Sequence, residues 1–223
     1  MWLIFLVFLL FLFRTVFQDI VPTFVEYANL LFENFGEDVK WWTTFNEPKQ
    51  TCAGGYDSGY ISPQNLHPGT GGYKCAHNVL RAHAKVYRLY EQKYKPTQNG
   101  KTVWLLTSPG WNLHLTRLKI LRPPNGLYGW YAHPIVYGDY AEVMRQRVDE
   151  RSALQGYSES RLPVFTDDEK EELRGNYDYK DGNMYATVLV AHQEDAPIEE
   201  VSLASDLSVY TYQPDDWEKT VTD

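Results

Sequence analysis

Glu47 is the residue around which a chemical reading of the sequence gathers. It lies in Thr44-Phe45-Asn46-Glu47-Pro48, at the end of a dense aromatic and β-branched run, Val39–Phe45. A run with so little polar alternation reads as a strand covered on both faces. Pro48 cannot donate to a β-ladder, so it ends that strand. The carboxyl end of a buried parallel strand is where barrel enzymes place their catalytic groups. A carboxyl among apolar neighbours holds its proton more readily, as a general acid must near neutral pH. Asn46, one residue earlier, offers an amide to a substrate hydroxyl. The competing reading of the same residues is a loop carboxylate that caps a backbone N–H, and the local pattern leaves both open.

Other residue types that could do chemistry give less. His77 and His83 lie on one expected helix, where packing or hydrogen bonding accounts for them. His133 precedes Pro134 at a turn, and no two histidines share a convincing metal partner, so a zinc site is not expected. Cys52 and Cys75 could pair in an oxidising compartment; alternatively, Cys75 is a buried free thiol at a helix start. Neither GxGxxG nor GxxxxGK[ST] occurs, so nucleotide use has no support. The formal net charge of -8, without a Lys/Arg-rich run, argues against a nucleic-acid partner. Aromatic residues make up 15% of the chain, which serves a large core or the apolar faces of sugars equally well.

Several elements must position Glu47. Thr23–Phe35 predicts an amphipathic helix with Phe24, Tyr27, Ala28, Leu31 and Phe35 on one face. Thr23 and Glu26 form a capping-box pattern, and Gly36 can close the helix. Lys49–Gly72 reads as loop. Tyr73–Tyr94 is the strongest helix, with a stripe of Ala76, Val79, Leu80, His83, Tyr87, Tyr90 and Tyr94, and with Pro96 to stop it. Thr102–Thr107 reads as a buried strand, and Pro109–Gly129 shows no period. Asp139–Leu154 predicts a helix capped by Asp139, and Thr166–Arg174 a short one with a Thr166/Glu169 capping box. Tyr177–Val190 contains strand-like stretches, and the acidic tail from Asp195 reads as surface loop or frayed end. Helix and strand alternate, so the fold class is α/β with a parallel sheet.

The sequence around these elements resembles a known family. TFNEP at Thr44–Pro48 is similar to the acid/base motif of family 1 glycoside hydrolases, the β-glucosidase and myrosinase group. Tyr27–Pro48 resembles that family's helix and fourth barrel strand, and Cys75–Tyr90 the helix that follows. Gly129–Arg151 and Ser160–Phe165 resemble the approach to the sixth strand. Tyr177–Val190 is a weaker match, with Asn183-Met184-Tyr185 where the family usually has Asn-His-Tyr. Insect-type members look most similar. The resemblance implies a partial (β/α)8 TIM barrel, about strands 4 to 6 with their helices. It also implies a retaining double displacement in which Glu47 first protonates the departing oxygen and then activates water, with a nucleophile on the order of 5 Å away. Asn46 would bind the sugar 2-hydroxyl, Tyr185 would orient the nucleophile, and Asn183 would support the site. The implied substrate is a small β-glycoside, with no cofactor and no metal.

The sequence also departs from the family pattern. No Thr-Glu-Asn-Gly type nucleophile motif occurs, so the chain is expected to be inactive alone. The alternative is a non-catalytic carbohydrate-binding or interaction fragment. Between Ser108 and Gly129 the family's usual acidic, alanine-containing helix is replaced by an unrelated stretch. Residues 1–21 form an apolar N-terminal segment, unbroken from Met1 to Phe13, that is signal-like, membrane-contacting or a mis-joined exon. Residues 22–223 form the part-barrel. A signal-like start leads to the expectation of a secreted or extracellular protein, with membrane contact only through that segment.

Overall fold

The computed structural model describes residues 3–4, 20–107, 129–183, 189–192, 197–207 and 209–212. The chain opens with a short strand, β1 (Leu3–Ile4), and helix α1 (Ile20–Phe35) follows. Burial of α1 runs in four-residue steps through Ile20, Phe24, Ala28 and Phe32, the ridge that faces a layer beneath. The helix begins three residues before the capping-box pattern, so Thr23 lies inside it. Phe35 is correspondingly on the solvent side, 48% exposed, and Phe32 takes the core position.

Strand β2 (Trp41–Asn46) leads into the short helix α2 (Pro48–Ala53), which continues as a π-helical turn through Ser58. Helix α3 (Gly71–Leu89) buries every residue of the expected stripe that lies within it. It continues as a π-turn, Tyr90–Tyr94, into α4 (Lys95–Gln98). Pro96 therefore does not end the helix. It sits in the first turn of α4, where a missing N–H costs nothing, and left-handed Asn99 closes that helix.

Strand β3 (Lys101–Thr107) precedes α5 (Gly129–Tyr137), α6 (Glu142–Leu154) and α7 (Asp167–Leu173). The expected helix start at Asp139 is displaced to Ala141. Asp139 instead accepts from the N–H of Tyr140 at 2.8 Å and pairs with Lys170 at 3.1 Å, so its carboxylate is engaged elsewhere. α5 has no amphipathic signature because it is apolar nearly throughout and contains Pro134. It ends at Gly138, whose φ of 90° and whose 2.5 Å gap to the Lys170 carbonyl leave no room for a Cβ. Thr166 and Glu169 form both halves of the capping box on α7.

Strands β4 (Tyr179–Asn183) and β5 (Leu189–His192), helix α8 (Leu203–Leu207) and strand β6 (Val209–Tyr212) complete the described chain. β1, β2, β3 and β4 form one parallel sheet in that order, and β5 pairs antiparallel with β6. Leu3 and Ile4 of the apolar N-terminal segment pair with Trp42 and Thr43, so these two residues lie beside β2 on the side away from β3. The acidic tail is not a frayed loop over residues 197–207: Leu203, Ser205 and Asp206 are buried. Asp206 meets Arg151 at 3.0 Å and Arg161 at 2.7 Å, which pulls that segment onto α6.

Two apolar clusters flank α3. One joins α1 to β2 through Phe24, Phe32, Trp42 and Tyr90. The other gathers Tyr56, Trp130, Tyr131, Leu162, Phe165 and Leu173 from the later elements. The adjacent tryptophans of β2 face opposite ways, as strand alternation requires. Trp42 packs edge-on against Phe32 at 4.9 Å, while Trp41 meets Tyr179 of β4 at 5.1 Å on the other face.

Candidate active site

The register of β2 changes just before Glu47. Thr43 pairs with Val103 and Asn46 with Leu105, so β2 spends three residues where β3 spends two. This bulge sends two consecutive side chains toward the helical layer. Thr44 bonds His83 of α3 at 2.7 Å, and Phe45 stacks on Phe24 of α1 at 4.4 Å. Bulges commonly re-aim side chains beside active sites. Here Asn46 emerges exposed at the strand end and Glu47 is half-buried.

Glu47 adopts the left-handed conformation, with φ 48° and ψ 53°. Few non-glycine residues do so, and strained positions of this kind cluster at functional sites. Its carbonyl accepts from the N–H groups of Gln50 at 2.9 Å and Thr51 at 3.3 Å, which starts α2. The side chain makes no capping hydrogen bond to that helix. The reading of Glu47 as a backbone-capping carboxylate therefore fails at α2, the helix it precedes.

A neighbour that sequence reasoning missed is Tyr60. Its ring is 60% exposed, and its hydroxyl donates to Oε1 of Gln50. Burial of the hydroxyl raises its pKa, and the negative charge of Glu47 raises it further. The two groups thus share one field across the strand end. Tyr60 lies in a loop with no period, so only its 13-residue distance from Glu47 was legible in the chain. Beside them, burial holds the Lys49 ammonium below the usual lysine value.

Asn183 ends β4, paired with Thr107, at the same carboxyl edge of the parallel sheet. The fold thus brings the backbones of Asn46, Glu47 and Asn183 to one edge. Tyr185 lies outside the described residues. Among the described residues, no group of three or more His, Cys, Asp or Glu is placed to hold a metal ion. A groove of about 600 Å³ between α3 and α7 lies in the helical layer, and its Lys85 and Glu172 pair with each other at 2.9 Å.

Cys52 and Cys75 form a disulfide with Cα atoms 5.4 Å apart, so Cys75 is not a free thiol. The bond joins α2, just past Glu47, to the second turn of α3. Below α2, Asp57 accepts from the N–H groups of Gly69 at 2.5 Å and Leu203 at 3.1 Å, which folds the loop after Glu47 against α8.

Fold and site together define an α/β chain with a carboxylate and an amide at the carboxyl edge of a parallel sheet. Residues 15–223 match the profile of Glycosyl hydrolase family 1, and the chain belongs to that family. It is 40% identical to Myrosinase 1 of Brevicoryne brassicae over 177 residues, covering 77% of this chain and 38% of the relative. It is 32% identical to the cytosolic β-glucosidase of Cavia porcellus over 207 residues, covering 90% of this chain and 44% of the relative. Among solved structures, aphid myrosinase superimposes with a TM-score of 0.78 at 35% identity, over 96% of this chain and 46% of that one. A rice β-glucosidase gives 0.78 at 30% identity, over 88% of this chain and 43% of that one. The chain spans less than half the length of each of these relatives.

Proposed function

We propose that the chain carries the acid/base half of a β-glucosidase-type site, with Glu47 as the proton donor to the departing glycosidic oxygen. The observation that carries this reading is the placement of Glu47, half-buried and left-handed behind a bulge at the carboxyl edge of β2. In this reading β2, β3 and β4 are consecutive strands, about the fourth to sixth, of a (β/α)8 barrel covering residues 22–223, and the apolar segment of residues 1–21 leads into it, with Ile20 and Val21 already in the first turn of α1. Asn46 binds the sugar 2-hydroxyl, Asn183 supports the site from β4, and Tyr185 orients the nucleophile. The exposed ring of Tyr60 offers the leaving group an apolar face.

The reaction is a retaining double displacement on a small β-glycoside. The second carboxylate of such a pair lies on the order of 5 Å from the first. The sequence has no Thr-Glu-Asn-Gly motif to supply it, so the chain alone is inactive. The buried disulfide favours an oxidising, secreted or extracellular setting.

The test uses an aryl β-glucoside. The purified chain is expected to give no turnover by itself. Joined to a family segment that carries the nucleophile motif, it is expected to hydrolyse the substrate, and Glu47→Gln should lower the rate by roughly 10²–10⁴-fold. Hydrolysis that survives Glu47→Gln undiminished would remove Glu47 from the reaction. Saturable sugar binding by the chain without turnover after joining would favour the carbohydrate-binding alternative.

A further inference from the structure

We infer that His83 is a positioning residue for Glu47, and that α3 grips the Glu47 turn from both sides. The inference rests on reading Glu47 as the proton donor, but its geometry stands separately. Thr44 lies three residues before Glu47, and its hydroxyl meets Nδ1 of His83 at 2.7 Å. Nε2 of the same ring meets the carbonyl of Asn176 at 2.9 Å. A carbonyl oxygen only accepts, so Nε2 carries the proton and Nδ1 accepts from the Thr44 hydroxyl. Thr44, His83 and Asn176 are all essentially inaccessible to water.

The second grip lies on the far side of Glu47. Cys52, five residues after it, is bonded to Cys75 on α3. Cys75 and His83 are eight residues apart on one helix, about 12 Å along its axis. Between the two tethers run the bulge, exposed Asn46 and the left-handed turn at Glu47. A conformation of that kind persists only where the surroundings over-determine it. Ordinary core packing would not need a polar ring here. His83 also bonds Asn176, three residues before β4, so one ring sets the height of β2 against the strand that carries Asn183.

Hydrogen exchange of the full chain, read by mass spectrometry, tests the grip without needing turnover. The amides of Gln50 and Thr51 bond the Glu47 carbonyl and so report that turn. Thr44→Val keeps the side-chain volume and deletes the hydroxyl. It is expected to speed exchange in the 50–53 peptide about tenfold or more while α6 keeps its wild-type rate. His83→Phe should do the same, and His83→Gln, which can donate and accept at the two positions, should restore slow exchange. If His83→Phe does not fold, Thr44→Val decides alone. Unchanged exchange at 50–53, or a uniform rise through α6, overturns the inference and leaves His83 a stabilising residue only. Hydrolysis that survives Glu47→Gln would defeat the proton-donor reading and leave the exchange result standing.

Discussion

Asp206 is a buried carboxylate that serves two arginines and a tyrosine. It meets Nε of Arg151 at 3.0 Å, both terminal nitrogens of Arg161 at 2.7 Å and the Tyr73 hydroxyl at 2.8 Å. Removing one member of such a group leaves the others charged and unpaired, which costs about 3 to 5 kcal/mol. Asp206→Ala should therefore lower chemical-denaturation stability by that amount, with Arg151 and Arg161 both buried and left with backbone carbonyls to bond. Histidines set the acid limit. Burial holds His83 at about 3 and His77 at about 4, both below the usual histidine value of 6.5. The unfolded chain takes up these protons first as pH falls, so the stability they allow is full above 6.5. It is lost as pH drops from 6.5 toward 4 and then 3. Thermal unfolding midpoints measured from about pH 7 down to about pH 4 should fall steadily, and less so in His77→Phe. Residues of this kind divide by how local their signal is. The placement of Asn46 and Glu47 at a strand end was legible because strand, amide, carboxylate and proline are consecutive. Asp206 was not, because its partners Tyr73 and Arg161 lie 133 and 45 residues away and nothing near it in the chain announces them.

Helix α3 is the element on which the site depends. It lies in both apolar clusters, supplies His83 to β2 and receives the disulfide from α2. The Cys52–Cys75 bond spans 23 residues, a loop whose closure in the unfolded chain is worth about 3 kcal/mol. Cys75→Ser with Cys52→Ser should lower stability by that order in denaturant titrations. It should also speed exchange at Gln50 and Thr51 before it reaches α6. The stripe of α3 could be read directly because a long helix with one buried face repeats its pattern many times. The continuation past Pro96 could not be, since proline is compatible with a first turn as well as a last one. α5 escaped for the opposite reason: a helix buried nearly all round shows no period to detect. The tail failed as acidic composition, because what holds α8 is one buried leucine, Leu203, and one buried carboxylate, Asp206, whose partners lie far away in the chain.

At the scale of the whole molecule, the α/β alternation was visible in the order of the elements, but the role of the N-terminal segment was not. An apolar run carries no register, so nothing in it signalled that Leu3–Ile4 would lie beside β2. That strand is two residues long, while β2 has six and β3 seven. Among the described residues, it therefore pairs with only part of β2 on that side. Among the described residues, the sheet ends at β4 on the other side. An open parallel edge presents unpaired N–H and C=O groups, and parallel sheets are normally buried and closed by further strands. The net charge of -8 opposes close approach of two copies, but charge is screened beyond about 8 Å at physiological salt, whereas edge pairing acts at contact. The purified chain is accordingly expected to associate as its concentration rises, and more strongly as salt is added. Sedimentation velocity at several protein concentrations and two ionic strengths measures this directly. A species of 25.9 kDa at every concentration, with one cooperative unfolding transition in the range of about 45–65 °C, would show that the edges are covered and that the four-stranded sheet is self-sufficient.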